Sequence, residues 1–302
     1  MFNKSALIRP FISISPFCYG SLDNVAPSDS RTQMTERVTE MLSRHVGRRF
    51  QFTMSGRDAL EMVLADIGVT HDDVITIIPS IGNFYVSSCV TKTIEKHCKW
   101  SMTIERESRA LLVIHEWGVV HRDLPELRKY GLPIIEDCAY AFSSRTGSYQ
   151  SGAIGDYAIY SLGKFFSVNL GGLACGLQQE GRGVRDDVVQ FICSMLYSAD
   201  SINSIVGKRI DVWKQMSSLF AAIGAPPAYA LESGDVPGVF MFQVHDSIEP
   251  EAVKSAYGEH GIECSVYYGS RNVFVPCHQG LGRGSVQYIF DVYEDMVRDI
   301  TK

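Results

Sequence analysis

Short, almost continuously apolar runs alternate with stretches of helical spacing through most of this chain. Val74–Ile78, Ala110–Ile114 and Leu132–Glu136 read as strands, as do Phe50–Met54, 99–104, Tyr157–Ser161 and Leu173–Leu177. Between them, residues 31–46 place Met34, Val38, Met41, Leu42 and Val46 three and four apart, and Arg57–Ile67 repeats that spacing with Leu60, Val63, Leu64 and Ile67. Further helices are predicted at 83–92, 123–130 and across 183–223. Strands without polar alternation are buried on both faces, so the pattern predicts an α/β fold with a large parallel or mostly parallel sheet of about seven strands, flanked by helices. Proline, glycine and acidic residues then cluster in GAPPAYALESGDVP, 224–237, which marks a boundary. Beyond it, strand Val239–Val244, helix Pro250–Gly261, strand Ile262–Tyr268 and helix Val286–Ile300 describe a smaller α+β unit. The expected division is a large domain over 1–228 and a small C-terminal domain over 229–302.

With 302 residues, 45% of them hydrophobic, 21% charged and a mean hydropathy of zero, the chain can build a substantial core, and disorder is excluded. A net charge of −6 gives no reason to expect nucleic acid or an anionic membrane. The eight cysteines (18, 89, 98, 138, 175, 193, 264, 277) are scattered singly and form no zinc-type spacing, which fits reduced thiols. No apolar run spans a bilayer and no signal-peptide pattern opens the chain, so a cytoplasmic protein acting on a small molecule is expected.

In open α/β sheets, ligands bind at the carboxyl ends of strands. Ser55 and Gly56 follow a strand and open a helix, where backbone N–H groups and the helix dipole suit a phosphate; Arg57 adds charge. Asp137 follows the strand LPIIE, as either a buried carboxylate needing a cationic partner or a helix N-cap. Ser161 ends YAIYS, and Lys164 follows in a glycine-containing loop, where a lone lysine is ordinarily solvated. His115 in VIHEWG and His278 in VPCHQGL read as satisfied structural histidines, and no metal ligand set is formed. No GxGxxG follows the early strands, which leaves a nicotinamide site little support; the dense glycines Gly280–Gly284 come late, after an apolar strand and without a following diagnostic acid.

Seven segments in order, TMSGRDAL (53–60), DVITIIP (73–79), VIHEWG (113–118), IIEDCAYAF (134–142), GAIGDYAIYSLGK (152–164), NLGG (169–172) and MSSLFAAIG (216–224), resemble the DegT/StrS-type family of fold type I, pyridoxal phosphate (PLP)-dependent sugar aminotransferases. The resemblance implies amino transfer from an amino acid such as glutamate to a keto sugar, attached to a nucleotide, or to a related keto substrate, in a homodimer. It assigns the cofactor phosphate to Ser55, Gly56, Arg57 and Ser161, the pyridine nitrogen to Asp137, ring stacking to Tyr140, and the Schiff base to Lys164. The chain departs from the family in several places. The family lysine usually stands five residues after the serine matched by Ser161, where this chain has Phe166, so Lys164 is two residues early unless the loop lost two. The aromatic expected after Pro79 is replaced by Gly82-Asn83, with Phe84 one step later; Tyr140 stands for a His or Gln; Trp213 and Gln215 stand for an Asn and an Arg. These departures support an alternative reading: a member without the Schiff-base lysine, serving PLP-independent or non-aminating chemistry or acting as a non-catalytic partner subunit.

Overall fold

A computed structural model describes residues 10–17, 31–82, 85–179 and 183–300. Cys18 and the pair Asn83 and Phe84 lie outside them. Two compact units form, one from Phe17–Ser201 with Glu232–Val236, the other from the segment 10–16, Ile202–Leu231 and the chain from Pro237 onward. The units therefore part after Ser201, whereas the expected domain boundary lies at 228/229.

The first unit contains α1 (Arg31–Val46), β1 (Phe50–Thr53), α2 (Gly56–Ile67), β2 (Val74–Pro79), α3 (Ser88–Ile94), β3 (Lys99–Ser101), β4 (Ser108–Ile114), β5 (Ile134–Asp137), β6 (Tyr157–Ser161), the single turn α4 (Leu162–Phe165), β7 (Gly172–Cys175) and α5 (Asp186–Tyr197). Its sheet has seven strands in the order β1-β7-β6-β5-β4-β2-β3. Only β7 runs against its neighbours; the other pairings are parallel. The mostly parallel sheet with flanking helices is thus present. The continuous apolarity of β4 has a direct cause. Ala110 and Leu112 pack with Ala59, Leu60, Val63 and Leu64 of α2, while the alternate residues Leu111 and Val113 pack with Leu124 and Ile134 on the opposite face.

Several expected elements differ in extent. The helix foreseen at 83–92 is α3 at Ser88–Ile94, and the strand foreseen at 99–104 ends at Ser101. Residues Leu124–Tyr130 form a 3-10 helix closed by Gly131 at φ 66. The stretch 183–223 is broken into α5 and α6 (Ile202–Ala222) at Ser198-Ala199-Asp200-Ser201, where short polar side chains compete for backbone hydrogen bonds. Strand ends fall in register: Ile114 pairs Asp137, Asp137 pairs Ile159, and Gly172 pairs both Ser161 and Thr53.

The second unit contains α6, β8 (Val239–Gln243), α7 (Pro250–Glu259), β9 (Ser265–Tyr267), β10 (Asn272–Pro276) and α8 (Arg283–Ile300). Its three strands are antiparallel with β10 in the middle, a strand the sequence reading did not count in this unit. Phe220 of α6 sits 4.6 Å from Phe242 and 5.8 Å from Tyr293 between ring centroids, which explains why α6 packs with these strands. Trp213 of α6 packs 6.4 Å from Phe240. His278 is structural here. Its Nδ1 accepts the N–H of Gly280 (3.1 Å), so Nε2 carries the proton and donates to the Ser13 carbonyl (2.9 Å).

Burial, and secondarily the charge of Arg209, push the pKa of His278 from 6.5 down to about 4. The unfolded chain takes up this proton at higher pH than the fold does. Stability is therefore complete above pH 6.5 and declines as the pH falls toward 4, by at most about 3 kcal/mol. Urea midpoints of the protein should show this slope and His278→Gln should flatten it; equal slopes in both would count against the assignment.

Candidate cofactor site

The site lies at the carboxyl end of the seven-stranded sheet, inside the first unit. Ser55 is the N-cap of α2: its Oγ accepts the N–H of Asp58 (3.4 Å) and donates to Asp58 Oδ2 (2.7 Å), while Thr53 Oγ1 donates to the Ser55 carbonyl (2.8 Å). The turn is pressed against its neighbours. A Cβ on Gly56 would stand 3.0 Å from Cβ of Ser161, and one on Gly172 would stand 2.5 Å from the carbonyl carbon of Ser55. Only glycine allows the helix start, the end of β6 and the start of β7 to meet this closely. The Ser161 hydroxyl makes no capping bond to α4, which leaves it for a ligand. Together these groups offer backbone N–H donors, a dipole end and a hydroxyl, a donor set that fits a phosphate. Arg57 is exposed on the first turn of α2.

Asp137 is 6% exposed, and its carboxylate takes a single hydrogen bond among the described residues, Ala139 N–H to Oδ1 at 2.9 Å. Burial pushes its pKa up, against the pull of that N–H and of charge at His115 and Lys164. A buried carboxylate with so few donors is matched to a cationic N–H, which is what a protonated pyridine ring presents. Tyr140 lies in the turn after Asp137. The Nζ of Lys164, half-buried on α4, lies 5.0 Å from the centroid of the Tyr140 ring.

Phe166 is 1% exposed and turned into an aromatic cluster, 5.1 Å from Phe142 and 5.0 Å from Phe165. Its N–H donates to the Leu162 carbonyl (2.8 Å), closing the turn. The residue at the ungapped lysine position therefore belongs to the core, and Lys164 is the residue whose amine shares the corner of Asp137 and Tyr140.

Glu136, which the motif reading passed over, is fully buried on the other face of β5 from Asp137. It accepts the N–H groups of Gly152 (2.7 Å), Ile154 (2.8 Å) and Gly155 (2.5 Å) and a bond from His115 Nε2 (2.8 Å). His115 Nδ1 accepts the N–H of His121 (3.1 Å), which fixes the proton on Nε2. Burial raises the Glu136 pKa, but the bonds from His115, Gly155 and Gly152 outweigh it and hold the carboxyl below its ordinary value. His115, Glu136 and Cys138 bring ligand-type atoms within 4.8 Å, yet their bonds are already committed to this network, so they form a strut rather than a metal centre. The only sequence signal for it was an acidic pair at a strand end.

Residues 94–173 match the DegT/DnrJ/EryC1/StrS aminotransferase family. No curated protein sequence matches the chain significantly. Among solved structures, the aminotransferase TlmJ from Streptoalloteichus hindustanus is similar over 94% of this chain and 97% of its own, with 16% identity and a TM-score of 0.74. Spr1654 from Streptococcus pneumoniae, described as a sugar aminotransferase and solved in its PMP form, is similar over 97% of each chain with 15% identity and a TM-score of 0.69. DesI, solved with its TDP-sugar product, is similar over 97% of this chain and 95% of its own, with 13% identity and a TM-score of 0.74. At these identities the likeness establishes the fold, which is that of fold type I aminotransferases.

Proposed function

We propose, for a chain whose core segment 94–173 is of the DegT/DnrJ/EryC1/StrS aminotransferase family, that it is a PLP-dependent aminotransferase moving an amino group from an amino acid such as glutamate to a keto sugar or related small keto substrate. One observation carries the reading: the Lys164 amine lies at the Tyr140 ring and its charge bears on buried Asp137, while Phe166 is turned away into the core. PLP, when bound, supplies an electron sink that acidifies the C–H bond next to the transferred nitrogen.

The residues of this chain supply the rest. Backbone N–H groups at Ser55 and Gly56, where α2 begins, and the hydroxyl of Ser161 at the end of β6 would hold the phosphate, and Arg57 would add positive charge there. Asp137 would accept the pyridine N–H and keep that nitrogen protonated. Nζ of Lys164 would anchor the cofactor and would carry the proton between donor and acceptor carbons. Tyr140 is the aromatic wall beside it. The reading includes a homodimer in the cytoplasm. The resemblance supports both, and the seven free cysteines among the described residues fit a reducing compartment.

Adding PLP to the purified protein should produce a visible absorbance band that borohydride removes, leaving a pyridoxyl group on the peptide containing Lys164. Protein that stays colourless would end the proposal.

A further inference from the structure

Trp117 is the only non-glycine residue at positive φ among the described residues (φ 54, ψ 17). A bulky aromatic side chain rarely adopts this left-handed conformation, and it persists only where the surroundings fix the backbone on both sides. That is the case here. On the near side, His115 is held by Glu136 (2.8 Å) and by the His121 N–H (3.1 Å). Glu116 donates its N–H to Ser80 Oγ (2.9 Å) and accepts the N–H of Ile81 at Oε2 (2.9 Å). On the far side, Val119 N–H returns to the Glu116 carbonyl (2.8 Å).

The strained turn delivers an indole that is 7% exposed and stands 4.9 Å from the Tyr140 ring, tilted by 56°. Tyr140 is in turn the ring over which Nζ of Lys164 lies at 5.0 Å. Three side chains from three different segments thus form a succession of contacts: strained Trp117 on Tyr140, and Tyr140 under Lys164.

We propose that Trp117 is a positioning residue, which by packing on Tyr140 sets where the Lys164 amine sits. This rests on the reading of Lys164 as the cofactor-binding amine. An ammonium over an aromatic face is stabilised relative to the neutral amine, provided the ring is held still. Loosening Tyr140 removes that stabilisation even though Tyr140 itself remains. Among the described residues, Asp137 is an ionisable group coupled to Lys164, and His115 bears on Asp137 in turn. Neither is altered by substitutions at Trp117 or Tyr140.

The test reads Lys164 directly in the full chain without added PLP. The rate of acetylation of Lys164 by acetic anhydride is followed by mass spectrometry across pH, and its midpoint reports deprotonation of the amine. Trp117→Leu should lower the midpoint by about half a pH unit, as Tyr140→Leu should. The double variant should add nothing further, because the two act as one unit. Trp117→Phe and Tyr140→Phe should keep the native midpoint. Trp117→Gly relieves the left-handed backbone, so it serves as the folded control for loss of the ring, and it should shift the midpoint like Trp117→Leu. A midpoint unmoved in Trp117→Leu and Trp117→Gly, or unmoved in Tyr140→Leu, overturns the proposal. A shifted midpoint in protein that gives no visible band with PLP would retire the cofactor reading alone; a band with no shift would retire the positioning role alone.

Discussion

Lys164→Ala is expected to abolish the visible band with PLP and to reduce amino transfer from glutamate on the order of a thousandfold or more, because one amine is asked to anchor the cofactor and to move the proton. The informative companion is Lys164→Ala combined with Phe166→Lys. If register along the chain decided which residue reaches the cofactor, the double variant would regain the band. The packing of Phe166 against Phe142 and Phe165, at 1% exposure, predicts failure instead. A lysine there would have to leave its charge unpaired among aromatic rings and vacate a filled site, at a cost of at least about 3 kcal/mol. Mixing PLP-loaded protein with L-glutamate and following the visible band gives the first measurement, and urea unfolding of Phe166→Lys gives the second. A Lys164→Ala protein that keeps the band and its reaction would favour the alternative in which the pocket serves non-aminating chemistry or a partner subunit.

Glu136→Ala should be the most damaging single change to stability outside the hydrophobic cores, costing about 4 kcal/mol. The carboxylate receives three backbone N–H groups from the loop 152–155 and the Nε2–H of His115, and alanine leaves all of them facing an apolar cavity. Glutamine does not repair the loss, since its amide NH2 would meet N–H donors. The pH dependence has a definite sign. Because these bonds hold the Glu136 pKa below the ordinary 4.5, its contribution is complete above that pH and is lost as pH falls through the lower folded value. Urea unfolding at neutral pH decides the matter; a difference under about 1 kcal/mol would show that the loop is held by other means.

The seven strands and the helices α1 and α2 were legible because period and apolarity are local properties, and each strand end announced a side chain in Asp137 and Ser161. What was not legible depended on direction rather than order. Counting residues from Ser161 points to Phe166, but a single helical turn over Leu162–Phe165 swings Phe166 into the core and leaves Lys164 on the open side. Glu136 escaped notice because three of its partners are backbone N–H groups, which carry no residue signature. Trp117 was hidden for the opposite reason: no propensity favours tryptophan in a left-handed turn, so nothing in VIHEWG foretells it. Strand β10 was seen as an apolar run before the late glycines but was not counted in the small unit, because Asn272–Pro276 is short and follows β9 closely.

The pairing of Gly172 with both Thr53 and Ser161 also bears on how the protein comes into being. On a ribosome, the segment that will carry the Ser55-Gly56 turn emerges early, but the strand that locks it beside Ser161 is made only after the whole central sheet. At ordinary translation speeds that interval is on the order of ten seconds. During it, β1 is an unclaimed edge on the nascent chain, open to wrong pairings. The antiparallel strand that closes this end of the sheet is therefore also the step at which synthesis of this chain commits to a single structure.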